Sequence, residues 1–159
     1  MRKTFEAIAL AAIAVLWAIT WRALDGPIPL PGRIPTHFNA AGEPNAWGPP
    51  GTLWLLPAVG AGLYLSISLV ASFPAAFNFP VRVTPRNRPR LEALTLQMIS
   101  CLKAELAGLF LTIQWMIIES ARSGRASLSP LIVPVFLVAV FANIGWHVVA
   151  IVRTSRTSS

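Results

Sequence analysis

Apolar residues gather along the chain into four long runs, roughly 5–23, 53–73, 94–118 and 131–152, separated by stretches rich in Pro, Gly and Arg. A helix needs about 20 apolar residues to cross roughly 30 Å of hydrocarbon, so the pattern predicts four transmembrane helices. Arg2 and Lys3 before the first run resemble the start of a signal peptide. No small-residue cleavage site closes that run, which passes instead into Trp21, Arg22 and Asp25, and a retained helix is expected. The intervening segments are an outer one of about 24–52, a loop of about 74–93 and a connector of about 120–130. Thr52 and Ser129 are placed to cap the second and fourth helices, the latter ahead of Pro130 at a first helical position. Pro57 and Pro134, each five residues beyond its cap, are expected to loosen the outermost turns.

Composition sharpens the class. Apolar residues make up 55% of the 159 positions, charged residues 12%, and the mean hydropathy is +0.63. A soluble domain carries about 25% charged residues, so an ordinary soluble protein is excluded. The net charge of +7 comes mostly from basic residues flanking the apolar runs, which points to topology and anionic lipid rather than nucleic acid. Eight of them (Arg2, Lys3, Arg82, Arg86, Arg88, Arg90, Arg153, Arg156) fall on one side and four (Arg22, Arg33, Arg122, Arg125) on the other. The richer side is expected to be cytoplasmic, with both termini inside an inner membrane. Anionic headgroups are the expected partners of Arg82, Arg86, Arg88 and Arg90. The single cysteine, Cys101, sits in an apolar run and reads as a small buried side chain. The six tryptophans mostly flank the spans, as an aromatic belt does.

The segment LPGRIPTHFNAAGEPNAWG, residues 30–48, is the least ordinary stretch. Pro31 and Pro35 restrict the backbone while Gly42 and Gly48 permit tight turns, so a compact non-helical cap is expected on the bundle. In order and spacing, Leu30, Pro31, Ile34, Pro35, His37, Phe38, Asn39, Gly42, Trp47 and Gly48 match a known signature. With them the chain resembles small bacterial membrane proteins related to the sporulation-delaying-protein immunity (SdpI-like) family, whose shared N-terminal domain has no assigned function. Asn45 stands where that family usually carries an acid and Pro50 where it usually carries Lys, so a role for that charged pair does not transfer. The resemblance implies recognition of a peptide or membrane partner through the cap, with Ile34, Pro35, His37, Phe38, Asn39, Gly42, Glu43, Trp47 and Gly48 as candidate residues.

His37, Asn39 and Glu43 offer an imidazole, an amide and a carboxylate within seven residues, yet two histidines in the whole chain are too few for an expected metal centre. The favoured role for His37 and Asn39 is to hydrogen-bond backbone groups left free near the prolines, while Phe38 and Trp47 wedge the cap onto the helix ends. In the third run Lys103 and Glu105 are two apart, about 200° around a helix, so they point to nearly opposite faces. Counted from Leu94, Lys103 falls near the midplane, unless the span starts later and Lys103 snorkels to the interface. Cys101, Gly108 and Thr112 share the Glu105 face and should turn it into the bundle. Asn143 and His147, four apart on the fourth helix, are candidate partners, with Asn143 favoured by depth. No phosphate loop, zinc pair or nucleophile elbow occurs, and neither catalysis nor a cofactor is expected. The expected architecture is an all-helical, four-span membrane protein of one domain with an ordered extracytoplasmic cap. Its expected function is recognition; the alternatives are an accessory subunit of a larger membrane complex and, third, a small proton- or ion-coupled carrier.

Overall fold

A computed structural model describes residues 1–124 and 128–156, the last two through their backbone alone. Arg125, one of the basic residues expected on the outer side, lies outside the described residues. Four helices, α1 (Arg2–Asp25), α2 (Leu55–Ala71), α3 (Arg88–Ser123) and α4 (Ile132–Arg156), are long and apolar enough to cross a membrane, α2 with the 3-10 turn Pro50–Trp54 that leads into it. Between α1 and α2 the chain forms an antiparallel hairpin of β1 (Ile34–Phe38) and β2 (Pro44–Gly48). The expectation of four spans holds, but the all-helical description gives way to a helical bundle with a two-stranded cap.

The helix α3 is the axis of the fold, packing against α1, α2, α4 and β1. Its 36 residues extend about 54 Å, well beyond the hydrocarbon thickness. The expected start near Leu94 is therefore too late: the helix begins at Arg88 because the loop before it builds a start signal. Asn87 Oδ1 accepts from the Thr84 amide at 2.8 Å, Thr84 Oγ1 accepts from the Asn87 amide at 3.2 Å, and Asn87 Nδ2 donates to the Arg82 carbonyl at 3.0 Å. Pro89 follows in the first turn, where no amide hydrogen is needed. At the other end Gly124, at φ +68°, closes α3 in the left-handed conformation that glycine adopts without steric cost.

Two cap expectations change. Thr52 lies inside the 3-10 turn and donates its hydroxyl to the Pro49 carbonyl at 2.7 Å, leaving Trp54 at the start of α2. Ser129 receives the Ile132 amide through its carbonyl at 3.3 Å, and Pro130 precedes α4 instead of opening it. Pro57 and Pro134 are each the third residue of their helices, where the missing amide hydrogen breaks no bond within the helix itself, although Pro57 leaves the Leu53 carbonyl of the 3-10 turn before α2 without an amide donor.

The cap sits on an apolar core of Ala23, Ile34, Leu53, Ile117, Ile118 and Ala121, with Phe38 and Leu128 packed against it. A hairpin alone is marginal in water, and this one is held by inserting Ile34 among the helix ends. A backbone bond also ties it to the connector between α3 and α4: the Leu128 amide donates to the Gly42 carbonyl at 2.8 Å. Trp47, 46% exposed, stays outside this core, so Ile34 and not Trp47 joins Phe38 in seating the cap. Trp17 and Trp21 gather instead around Trp54, whose ring centroid lies 5.3 Å from that of Trp17 and 6.2 Å from that of Trp21.

Candidate functional site

The hairpin loop is built by Asn39. Its side-chain oxygen accepts from the Ala41 and Glu43 amides, both at 2.9 Å, and its amide nitrogen donates to Glu43 Oε2 at 3.1 Å. His37 Nδ1 donates to Asn45 Oδ1 at 2.5 Å. Asn39 thus bonds backbone as expected, although in the loop rather than beside the prolines, while His37 binds a side chain. The imidazole and the Asn39–Glu43 pair are engaged separately, so the three polar groups do not converge on a common point. Gly48 closes the hairpin where a Cβ would come within 3.0 Å of Thr36 Cγ2.

Beneath β1 a cleft of 260 Å³ opens between the hairpin and the ends of α2 and α3. Ile34, Pro35, His37 and Phe38 form its cap side, and Leu55, Ile113, Gln114 and Ile117 its helix side. Gln114 is fully buried. Its Nε2 donates to Thr20 Oγ1 at 2.7 Å and to the Leu53 carbonyl at 2.9 Å. That carbonyl is available because Pro57, four residues on, has no amide hydrogen to give it. Gln114 therefore joins α1, α2 and α3 through a bond that proline creates. Its Oε1 has no partner among the described residues.

At the opposite end lies a second polar cluster. Lys103 Nζ stands 2.7 Å from the Glu6 carboxylate, 3.0 Å from Ser68 Oγ, and 4.5 Å from the Tyr64 ring centroid. Tyr64 and Ser100 also donate to Glu6, at 2.8 and 2.7 Å. Glu6 is only one turn into α1, so the Lys103 ammonium lies level with the N-terminal turns of that helix. Glu6 and Gln114 are the residues that reading by runs missed; Glu6 is the single acid in the first apolar run, and Tyr64 the single tyrosine of the chain.

Glu105 turns away from Lys103, toward α4. Asn143 Nδ2 donates to Glu105 Oε2 at 3.2 Å and to the Met98 carbonyl at 3.3 Å, while Cys101 Sγ lies 3.6 Å from Glu105 Oε1. The favoured partner on α4 is thus the one found. His147 donates through Nδ1 to its own helix at the Asn143 carbonyl, 2.9 Å away, and makes no bond with Glu105. Toward the cap the two helices separate, leaving a groove of 370 Å³ between Glu105, Gly108 and Thr112 on one side and Val135 and Ala139 on the other. The small-residue face therefore turns toward α4 but is only partly closed by it. Replacing Glu105 with Gln should preserve both fold and contact, whereas Leu should cost about 1–2 kcal/mol, the scale of interhelical polar contacts. Reversible unfolding in detergent measures this, and equal stability of the Leu variant would show the contact to be idle.

The arginines of the basic loop are all exposed but differently engaged. Arg88 pairs with Glu92 at 2.8 Å and donates to the Ala75 carbonyl at 3.2 Å, Arg90 Nε donates to Thr154 Oγ1 at 3.3 Å, and Arg82 and Arg86 are exposed.

Residues 7–61, from α1 through the hairpin into α2, match the family described as Domain of unknown function (DUF1648). The chain is also similar to an uncharacterised protein of the archaeon Archaeoglobus fulgidus, 27% identical over 151 residues that cover 86% of this chain and 81% of the archaeal one. No solved structure matches. The chain is thus a mostly helical protein with four helices suited to spanning a membrane, similar over about its first third to a domain of unknown function.

Proposed function

We propose that this chain is a non-catalytic, multi-pass inner-membrane protein that recognises a peptide or membrane partner through its cap. The supporting observation is the cleft under β1, a mostly apolar slot between the hairpin and the helix ends to which Thr36, His37 and Thr52 add polar groups. An apolar slot edged by a few polar side chains favours an apolar group that carries a hydrogen-bonding function over a purely hydrocarbon occupant. The matched domain also occurs in SdpI-like proteins, and the recognition role is carried over from that resemblance as part of the proposal. A photoreactive benzophenone at Leu55 tests this in native membranes. A discrete adduct that disappears when Thr36→Trp fills the cleft supports the reading, while adducts with lipid alone, or an adduct indifferent to Thr36→Trp, refute it.

In the same reading the loop end of the bundle is cytoplasmic, since the excess of basic residues gathers there. A cysteine at Ala40 should then react with an impermeant maleimide added to intact cells, and one at Ala76 should react only after lysis, both in a Cys101→Ser background. The reverse pattern would invert the topology. A second reading, a subunit of a larger membrane complex, draws on the groove that exposes Glu105 sideways between α3 and α4. Stoichiometric co-purification of another membrane protein, lost on substituting Glu105, would favour it.

A further inference from the structure

A third groove, of 290 Å³, runs between the first turn of α3 and the last turns of α4, at the end of the bundle away from the cap. Trp146, Val149 and Ala150 line it on the apolar side, and Arg90, Arg153 and Thr154 on the polar side. The order along α4 matters. Its apolar run ends at Val152 and Arg153 follows directly, while Trp146 lies seven residues earlier, about 10 Å deeper toward the bundle. Trp146 is 70% exposed, so its ring faces whatever surrounds α4. The polar side is organised: the buried Thr154 hydroxyl donates to the Ala150 carbonyl at 2.9 Å and accepts from Arg90 Nε at 3.3 Å, which carries the guanidinium across the gap between helices. Among the described residues no acid lines the groove, and Glu92, the acid nearest in sequence to Arg90, pairs with Arg88.

We propose that this groove is a binding site for an anionic phospholipid, its phosphate held by Arg90 and Arg153 and its glycerol and first acyl carbons lying along Trp146 and Val149. Two guanidiniums at the foot of an apolar wall match a phosphodiester attached to a chain, because guanidinium forks suit phosphate oxygens and the wall suits methylenes. Choline headgroups bring a quaternary cation into the same place and bind less well for that reason, so the site discriminates by net charge. It differs from general attraction to the basic loop by involving α4 and by requiring an acyl chain beside the phosphate.

The whole protein in a neutral detergent serves as the sample, and native mass spectrometry with dioleoyl phosphatidylglycerol, dioleoyl phosphatidylcholine or inorganic phosphate serves as the readout. Phosphatidylglycerol should bind at least about tenfold more tightly than phosphatidylcholine, and Arg90→Gln with Arg153→Gln should remove that preference, since each basic residue at an anionic surface contributes on the order of a few-fold or more. Arg82→Gln with Arg86→Gln, in the loop but outside the groove, should leave it nearly intact. Trp146→Ala, which leaves both arginines in place, should weaken phosphatidylglycerol binding several-fold and keeps the test meaningful if the arginine pair proves necessary for folding. Unchanged selectivity in both the arginine and the tryptophan variants, or an equal loss from the loop variants, would overturn the proposal. Inorganic phosphate competing at the same concentration as the lipid would assign the site to a soluble phosphate and reject the lipid.

Discussion

Gly42→Ala is expected to unseat the cap, at a cost of about 2–4 kcal/mol. Two effects combine at this position. The residue lies at φ +80°, a conformation in which a side chain is strained by about 1 kcal/mol or more. A Cβ there would also fall 1.8 Å from the Leu128 carbonyl oxygen, a backbone atom that cannot rotate aside. Relief requires the hairpin tip and the connector to part, which breaks the bond from the Leu128 amide to the Gly42 carbonyl and loosens Phe38 and Leu128 over the core. Gly32 provides the control: its φ is not positive and nothing lies within 4 Å of its would-be Cβ, so Gly32→Ala should stay within about 0.5 kcal/mol. Unfolding in detergent and the rate of proteolysis at the connector read both variants. Similar stability for the two would mean that the hairpin is not held by this contact.

The contrast between those glycines indicates what sequence can and cannot show in this chain. The four helices are legible because an apolar run of about 20 residues has few other stable fates. The pairing of Glu105 with Asn143 is legible too, since opposite helices can be ranked by depth from their ends. The hairpin is not, because Pro35 and Pro44 remove ladder donors and irregularities at Thr36 on β1 and Asn45 on β2 break the alternation that marks a strand. Gly42 stands out in the motif as a turn former, but the connector that touches it is more than 80 residues away in sequence, and no local pattern reveals such a contact. Gln114 is hidden for another reason. A neutral amide in an apolar run reads as incidental until Pro57, on another helix, is seen to free the Leu53 carbonyl that it binds. Glu6 escapes because an acid beside Arg2 and Lys3 looks like part of a solvated terminus.

Removing Glu6 should cost more than removing its partner. The Lys103 side chain is 4% exposed and the Glu6 side chain 26%, so the two ions have unequal access to water. In Glu6→Gln the ammonium stays buried with Ser68 and the Tyr64 ring but without its counter-ion, a situation that typically costs 3–5 kcal/mol for a fully buried pair. Partial exposure of Glu6 lowers the expectation to about 2–3 kcal/mol. In Lys103→Met the carboxylate keeps the Tyr64 and Ser100 hydroxyls and its path to solvent, and Met fills most of the vacated space, so about 1–2 kcal/mol is expected. With both changes made, no unpaired charge remains, and the double variant should lie within about 1 kcal/mol of the parent, giving a coupling of about 2–5 kcal/mol in a double-mutant cycle. Tyr64→Phe keeps the ring beneath Lys103 and deletes one donor to Glu6, for about 1 kcal/mol. The ordering Glu6→Gln, Lys103→Met, then the double variant, from least to most stable, is the specific signature of a pair whose buried member is the cation. Equal effects of the two single changes that simply add would mean that Lys103 reaches water without Glu6, and the cluster would then be two independent hydrogen-bonding groups rather than an ion pair joining α1, α2 and α3.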